Sequence, residues 1–157
     1  MIVKYFEIHK INFENQKIIL FHGKNNGLKN EITNKLVGNK NEVFNYDEKE
    51  VLENDYNFIE RLATESLFEE EKIIIIKRAT DKILKIIEAI NSKNLSKLII
   101  IINSDNLEKK SKLRSLFEKD KKLACVPFYP DNEQTLSKLA YNFLRDKGIS
   151  ISPSNIN

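Results

Sequence analysis

A glycine-bounded loop after the first strand is where the sequence comes nearest to a phosphate-binding site. Residues 23–29 read Gly-Lys-Asn-Asn-Gly-Leu-Lys. A working nucleotide loop has a glycine, four residues, and then Gly-Lys-Ser/Thr, whose backbone amides surround the phosphates while the hydroxyl holds Mg²⁺. Here the second glycine comes one residue early, and Lys29 is followed by Asn30. The spacing predicts a degenerate phosphate loop at Gly23, Gly27 and Lys29; the alternative is a tight turn that uses conformations open to glycine.

The third strand lacks the carboxylates that ATP hydrolysis needs. An acidic pair at its end would orient Mg²⁺ and water, but the run Ile73–Ile76 ends in Lys77 and Arg78, and two cations repel a metal. Asn103 and Ser104, after the fourth strand, suit either a polar sensor of a nucleotide or an ordinary loop. No Ser/His/Asp set or carboxylate pair stands out, so we predict no catalytic residue, no metal and no cofactor.

A basic cluster is the second candidate site. Seven cations lie between residues 109 and 122: Lys109, Lys110, Lys112, Arg114, Lys119, Lys121 and Lys122. Such a cluster can contact phosphates, and the first four are candidate DNA contacts. Glu108, Glu118 and Asp120 are interleaved and no aromatic platform accompanies the lysines, so a solvated helix face is the alternative.

Leu67 and Phe68 form an apolar pair beside three glutamates. Leu67 extends the helical stripe of Ile59 and Ala63, which favours a core position. Phe68 cannot share that face, so one of the two should point outward where the helix ends. An exposed aromatic residue next to a leucine is a good anchor for a hydrophobic pocket on a partner.

The composition excludes several classes of protein. The chain has 157 residues and a net charge of +3, too little charge to indicate a nucleic-acid partner by itself. The longest apolar runs, about five residues, are far shorter than a membrane span, and residues 1–5 do not resemble a signal peptide. The single Cys125 rules out an internal disulfide and is compatible with a reducing cytoplasm.

Strands and helices alternate along the first 128 residues. The predicted strands cover residues 17–22, 42–46, 73–76, 98–102 and 123–128. The predicted helices cover residues 28–37 and 55–66, a segment capped by Thr80 or Asp81, and a segment that starts at a capping box of Asp105 and Glu108. Continuous apolar strands alternating with helices predict an α/β fold, with a five-stranded, mostly parallel sheet covered on both faces.

The pattern changes after Pro130. Asp131 and Gln134 suggest a helix cap, apolar residues follow at helical spacing up to Gly148, and Ser152-Pro153 resembles another helix start. One amphipathic helix cannot bury its own apolar stripe. We therefore divide the chain into an α/β domain at 1–130 and, at 131–157, the truncated beginning of a small helical domain, although this helix could instead pack on the sheet.

The order of these parts resembles the delta subunit of the bacterial DNA polymerase III clamp loader. The resemblance rests on residues 21–23 (Phe-His-Gly), on Ser66-Leu67-Phe68 shortly before the strand at 72–77, and on residues 128–130 (Phe-Tyr-Pro) leading into an amphipathic helix. It runs from about Lys17 to Asn157.

The resemblance implies a P-loop NTPase (AAA+-like) domain with a degenerate nucleotide site, followed by a helical lid and a collar. It implies that Leu67 and Phe68 enter a pocket on the sliding clamp, the beta subunit, and help to open it in the cytoplasm during DNA replication without ATP hydrolysis. Other implied partners are the gamma/tau and delta prime subunits and primer-template DNA, but no membrane. The alternatives are an active P-loop ATPase that uses Lys29, or a DNA-binding module that uses the Lys109–Lys122 cluster.

Overall fold

A parallel β-sheet forms the centre of the molecule. The computed structural model describes residues 1–38, 42–65, 71–93, 97–150 and 152. The five strands are Ile18–His22 (β1), Val43–Asp47 (β2), Lys72–Lys77 (β3), Leu98–Asn103 (β4) and Leu123–Pro127 (β5). All neighbouring strands pair in parallel, in the order β2-β3-β4-β1-β5. The predicted five-stranded α/β fold is therefore confirmed.

Helices connect the strands. The α-helices in the described residues are Asn26–Val37 (α1), Glu48–Glu53 (α2), Asp55–Glu65 (α3), Leu84–Asn91 (α4), Lys112–Lys119 (α5) and Glu133–Asp146 (α6). Two short 3-10 helices, Tyr5–Lys10 and Asp81–Ile83, lie before β1 and before α4. Among the described residues, no helix has the length and apolar composition needed to cross a lipid bilayer.

The sheet has an apolar core on each face because successive residues of a strand point to opposite sides. Leu20 of β1 packs in one core with α2, α3, α4 and α5, whereas its neighbour Phe21 packs in the other with α1 and the segment before β1. Such two-sided burial explains why the strands are continuous runs of branched apolar residues.

Two predicted helix caps and one whole helix differ from the sequence prediction. The predicted capping box of Asp105 and Glu108 is wrong, because α5 begins only after Ser111, whose side chain accepts a hydrogen bond from the Arg114 amide at 3.1 Å. Asn132, not Asp131, caps α6. The short helix α2 was not predicted. In contrast, Thr80 caps the 3-10 helix that leads into α4, as expected.

Helix α6 differs from the other α-helices in its packing. None of its residues is buried, and the apolar side chains of Leu139 and Phe143 are 57 % and 62 % exposed. Its start is nevertheless tied to the loop after β1, because the Asn25 side-chain amide donates to the Asp131 carboxylate at 2.8 Å. Helix α6 is thus amphipathic, and little of the described chain covers its apolar side.

Candidate functional site

The carboxyl ends of β1 and β4 meet where an open α/β sheet generally binds its ligand. The two strands are neighbours, yet the helices that follow them lie on opposite faces, with Ile32 of α1 in one core and Leu113 of α5 in the other. Loops that diverge from adjacent strands leave a crevice between them. The degenerate phosphate loop predicted from the sequence therefore lies at the expected position.

The two glycines of that loop have different roles. Gly23 has a φ of +128°, and a Cβ atom added there would lie 2.0 Å from the carbonyl oxygen of Phe128. Gly27 lies in the first turn of α1, which Asn25 caps by accepting a hydrogen bond from the Leu28 amide at 3.1 Å. The tight-turn interpretation thus fits Gly23, whereas Gly27 has a helical conformation open to any residue.

Lys29 points its ammonium group into the protein. The residue is only 5 % exposed, and Nζ donates a hydrogen bond to the backbone carbonyl of Ser104 at 2.7 Å. Burial lowers the pKa of Lys29, and the nearby Asp105 carboxylate opposes that shift. The Ser104 hydroxyl donates in turn to the carbonyl of Ala79. The lysine that would reach a phosphate is therefore already hydrogen-bonded to the segment after β4, which contacts the segment after β3 in turn.

The rest of the crevice is polar and mainly cationic. A cavity of about 320 Å³ is lined by Asn26, Lys29, Asn30, Lys77, Arg78, Asn103, Ser104 and Asp105. Arg78 has a φ of +57° and pairs with the Asp47 carboxylate. Only Asp105 supplies a carboxylate to this lining, so the crevice does not contain the acidic pair that orients Mg²⁺ and water. Within the described ranges, no group of three or more His, Cys, Asp or Glu residues is placed to hold a metal ion.

The two residues considered as a nucleotide sensor are in different environments. Ser104 is buried, and both its hydroxyl and its carbonyl already have intramolecular partners. Asn103 lines the cavity, and its side-chain oxygen has no hydrogen-bond partner among the described atoms. Of the pair, Asn103 is therefore the residue that leaves a buried side-chain oxygen without a partner among the described residues.

His22, which has no motif around it in the sequence, is a buried residue beside this edge. It is 2 % exposed, and its Nδ1 atom has no hydrogen-bond partner among the described residues. Burial lowers the pKa of His22 to about 4, and the positive charge of Arg114 contributes to the shift. His22 is therefore neutral at physiological pH. The one sequence signal is its place at the end of an unbroken apolar strand.

Leu67 and Phe68 lie outside the described residues. The next described strand, β3, begins at Lys72 in the centre of the sheet, between β2 and β4. Because every strand is parallel, the entrance to β3 is at the edge of the sheet opposite to the Gly23 loop. The clamp-anchor assignment of these two residues stays a prediction.

The residues of the basic cluster point to different sides of α5. Lys109, Lys110 and Lys112 line a surface groove between α4 and α5. Arg114 does not line it, because its guanidinium pairs with Glu118 at 2.7 Å and donates to the carbonyl of Leu107 at 3.0 Å. The structure thus brings three of the four candidate DNA contacts together.

A five-stranded parallel sheet with a loop at its switch point defines a doubly wound α/β protein. No protein-family model matches the chain, and no curated protein matches it either. Among solved structures, the fold is similar to that of the DNA clamp loader delta protein YqeN of Bacillus subtilis. The TM-score is 0.60 at 13% sequence identity, over 89% of this chain and 46% of that one. The expected resemblance to a clamp loader delta protein is confirmed for the fold, and this chain spans just under half of that protein's length.

Proposed function

We propose that this chain is the amino-terminal part of a clamp-loader delta subunit that binds and helps to open the sliding clamp during DNA replication. The anchor consists of Leu67 and Phe68, which enter a hydrophobic pocket on the clamp. Binding energy at this anchor stabilises a clamp conformation with one opened interface, since a ligand shifts an equilibrium only through its different affinities for the two states.

The single observation that carries this proposal is the similarity of the fold to the B. subtilis clamp loader delta protein over 89% of the chain. That similarity agrees with a sequence resemblance based on different features, the order of short motifs along the chain. The other loader subunits, gamma/tau and delta prime, are the further proposed partners.

The crevice supports a role without nucleotide hydrolysis. Lys29 is bound to the carbonyl of Ser104, and Lys77 and Arg78 occupy the end of β3 where an ATPase has carboxylates. An active P-loop ATPase would have to release the buried ammonium of Lys29 and recruit its Mg²⁺ ligands elsewhere. In the proposed complex, other subunits bind and hydrolyse ATP.

Residues 131–157 are proposed as the beginning of the helical lid that follows the α/β domain in this kind of protein. The support is the exposed apolar side of α6, including Leu139 and Phe143. A helix with such a stripe gains most of its stability when another element covers it. The hydrogen bond from Asn25 to Asp131 links the start of this segment to the loop after β1.

The test is a matched pair of double variants. Leu67→Ala with Phe68→Ala removes the proposed anchor, whereas Leu139→Ala with Phe143→Ala removes the same two residue types from the exposed side of α6. Binding to the sliding clamp of the same organism is measured by calorimetry or surface plasmon resonance, and circular dichroism checks that both variants remain folded.

We expect the first variant to bind the clamp at least 30-fold more weakly, because an anchor residue contributes about 2 kcal/mol or more. The second variant should bind like the wild type. Equal clamp affinity of the anchor variant and the wild type would refute the assignment of Leu67 and Phe68. No measurable clamp binding by the wild-type chain would refute the proposed function itself.

A further inference from the structure

The two lateral edges of the sheet, formed by β5 and β2, differ in how the chain covers them. Outside β5, the Val3 amide donates to the Cys125 carbonyl at 2.9 Å, and the Cys125 amide donates to the Met1 carbonyl at 2.8 Å. Outside β2, no segment of the described chain forms a comparable backbone ladder. We call this open side of β2 the β2 edge.

The pairing of β2 with β3 shows which backbone groups of β2 face outward. The Ile73 amide donates to the Glu42 carbonyl at 3.0 Å, and Val43 lies opposite Ile73 in the register. In a parallel ladder, every second residue of a strand bonds to a given neighbour. Counting from Glu42, the intervening residues Val43, Asn45 and Asp47 therefore direct their N–H and C=O groups away from β3.

Two residues of the β2 edge retain unpaired backbone groups. The Asp47 amide already donates to the Glu50 carboxylate at 2.6 Å, where α2 begins. The outward N–H and C=O groups of Val43 and Asn45 have no partner among the described residues. Such an edge is a template for another strand, and β2 contains no lysine, proline or bulge that would block one.

The side chains of β2 indicate what kind of strand fits beside it. Phe44 and Tyr46 pack against one apolar core but are only half-buried, and Val43 lies against the other core. Asn45 is exposed. A neighbouring strand therefore has to bring large apolar side chains at alternate positions to cover the two aromatic rings, and β2 itself has this pattern.

We propose that the β2 edge pairs antiparallel with the β2 edge of a second copy of this chain. When Val43 lies opposite Asn45 of the second copy, each such pair exchanges two N–H···O=C hydrogen bonds. The two-fold axis then passes beside Phe44, which faces Phe44 of the second copy. All the unpaired groups of Val43 and Asn45 are used on both chains, so the contact is self-complementary.

The cations beside the β2 edge do not oppose this pairing. Lys72 forms an ion pair with Glu42 at 2.8 Å, and the Arg61 guanidinium lies over the Phe44 ring, 5.6 Å from its centroid. Both cations thus already have partners within one copy. Because two strand edges bury less area than a standard interface, we expect a weak dimer whose population depends on protein concentration.

The first experiment is sedimentation equilibrium of three proteins between about 10 μM and about 1 mM, the range in which weak interfaces associate. Asn45→Pro removes an outward N–H and places a ring on the β2 edge, whereas the matched control Asn45→Ala keeps that N–H and loses only the side chain. Because the Asn45 amide has no partner within the described chain, proline is compatible with the fold at this position. Circular dichroism checks that both variants remain folded.

The average mass of the wild type should rise with concentration from 18.4 kDa towards twice that value. Asn45→Ala should behave like the wild type. Asn45→Pro should associate at least about tenfold more weakly, because two interchain hydrogen bonds are lost from each dimer. The anchor variant Leu67→Ala/Phe68→Ala should dimerise normally, so that failure of this proposal and failure of clamp binding are separate results.

A cross-linking experiment tests the register and does not need the proline variant. Opposite residues of a hydrogen-bonded pair have Cα atoms about 5.5 Å apart, within the disulfide range. A mixture of Val43→Cys and Asn45→Cys chains should therefore cross-link on mild oxidation. Asn45→Cys alone should not, because its two copies lie diagonally, about 7–8 Å apart. The native Cys125 is buried, and burial raises the pKa of its thiol to about 12, so it does not react.

Three outcomes would overturn the proposal. The first is a wild type that stays monomeric at about 1 mM; if that protein binds a synthetic peptide of residues 42–47, the β2 edge receives an extended segment of another protein instead. The second is equal association of the wild type and a folded Asn45→Pro variant. The third is efficient cross-linking of Asn45→Cys by itself, which requires a different register.

Discussion

Replacing the two loop glycines by alanine should change the stability of the protein in opposite directions. At Gly23, an alanine would have to adopt a φ of +128° and place its Cβ atom 2.0 Å from the carbonyl oxygen of Phe128. At Gly27, the nearest atom to an added Cβ is the Asn25 side-chain oxygen at 3.8 Å, which is an ordinary contact. The pair therefore tests whether one glycine or both are required by the turn.

The expected magnitudes follow from these contacts. For Gly23→Ala, the positive φ costs about 1–3 kcal/mol and the overlap a similar amount. Moving Phe128 also weakens its amide hydrogen bond to the His22 carbonyl, now 2.7 Å, which costs about 1 kcal/mol. The total is about 3–7 kcal/mol, a large part of a typical stability of about 5–15 kcal/mol. Gly27→Ala should stabilise the helix by about 0.5–1 kcal/mol.

Urea unfolding followed by circular dichroism measures both effects. With an m-value of about 2 kcal/mol/M, Gly23→Ala should lower the unfolding midpoint by about 2 M, and Gly27→Ala should raise it by roughly 0.3–0.5 M. A loss below about 1 kcal/mol for Gly23→Ala would refute the structural reasoning about the turn. An equal loss for both variants would show that Gly27 also needs a conformation special to glycine.

Two further predictions concern acid stability and nucleotide binding. The pKa of His22 is about 4 in the folded protein, below the ordinary value of 6.5. As the pH decreases, His22 is therefore protonated in the unfolded chain before it is protonated in the folded protein. The free energy of unfolding should fall by up to about 3 kcal/mol between pH 6.5 and pH 4. Chemical unfolding at a series of pH values should show that His22→Gln removes this part of the pH dependence, whereas His9→Gln, at an exposed position, does not. If both variants have the pH profile of the wild type, the assignment of the acid sensitivity to His22 is wrong. For nucleotide, millimolar Mg-ATP should leave the melting temperature unchanged, because Lys29 is already bound to Ser104. An ATPase saturated at 100 times its Kd would instead melt roughly 5–10 °C higher.

The fold was largely predictable because its strands depend on a simple physical requirement. A strand covered on both faces must be apolar at every position, so runs such as Ile73–Ile76 indicate their own place in the sheet. Helix starts were less predictable. Asp105 with Glu108 has the spacing of a capping box, but α5 starts at Lys112, where both the Ser111 hydroxyl and the distant Asp81 carboxylate accept its first amides. A contact over about thirty residues leaves no local pattern.

The location of the candidate loop followed from its place after the first strand, but the contacts of its side chains did not. The loop spacing singled out Lys29, which lines the crevice in the structure, and its role in a degenerate phosphate loop stays a prediction. Whether its ammonium faces solvent or the Ser104 carbonyl depends on the register of β1 against β4, which spacing cannot show. Likewise, Arg114 belongs to the basic cluster in sequence, but it is two residues beyond Lys112, and a helix turns about 200° over that distance. Its side chain pairs with Glu118 instead.

The parallel course of all five strands also affects how substitutions accumulate. The loop at Gly23 follows β1, whereas Lys72 opens β3 at the other edge of the sheet, so the two positions are separated by about the length of a strand, roughly 20 Å for six residues. Amino-acid substitutions in the loops at one end of the sheet do not alter the residues that pack at the other end. Substitutions in the loops at the carboxyl edge of this sheet can therefore accumulate independently of substitutions at the edge where the third strand begins.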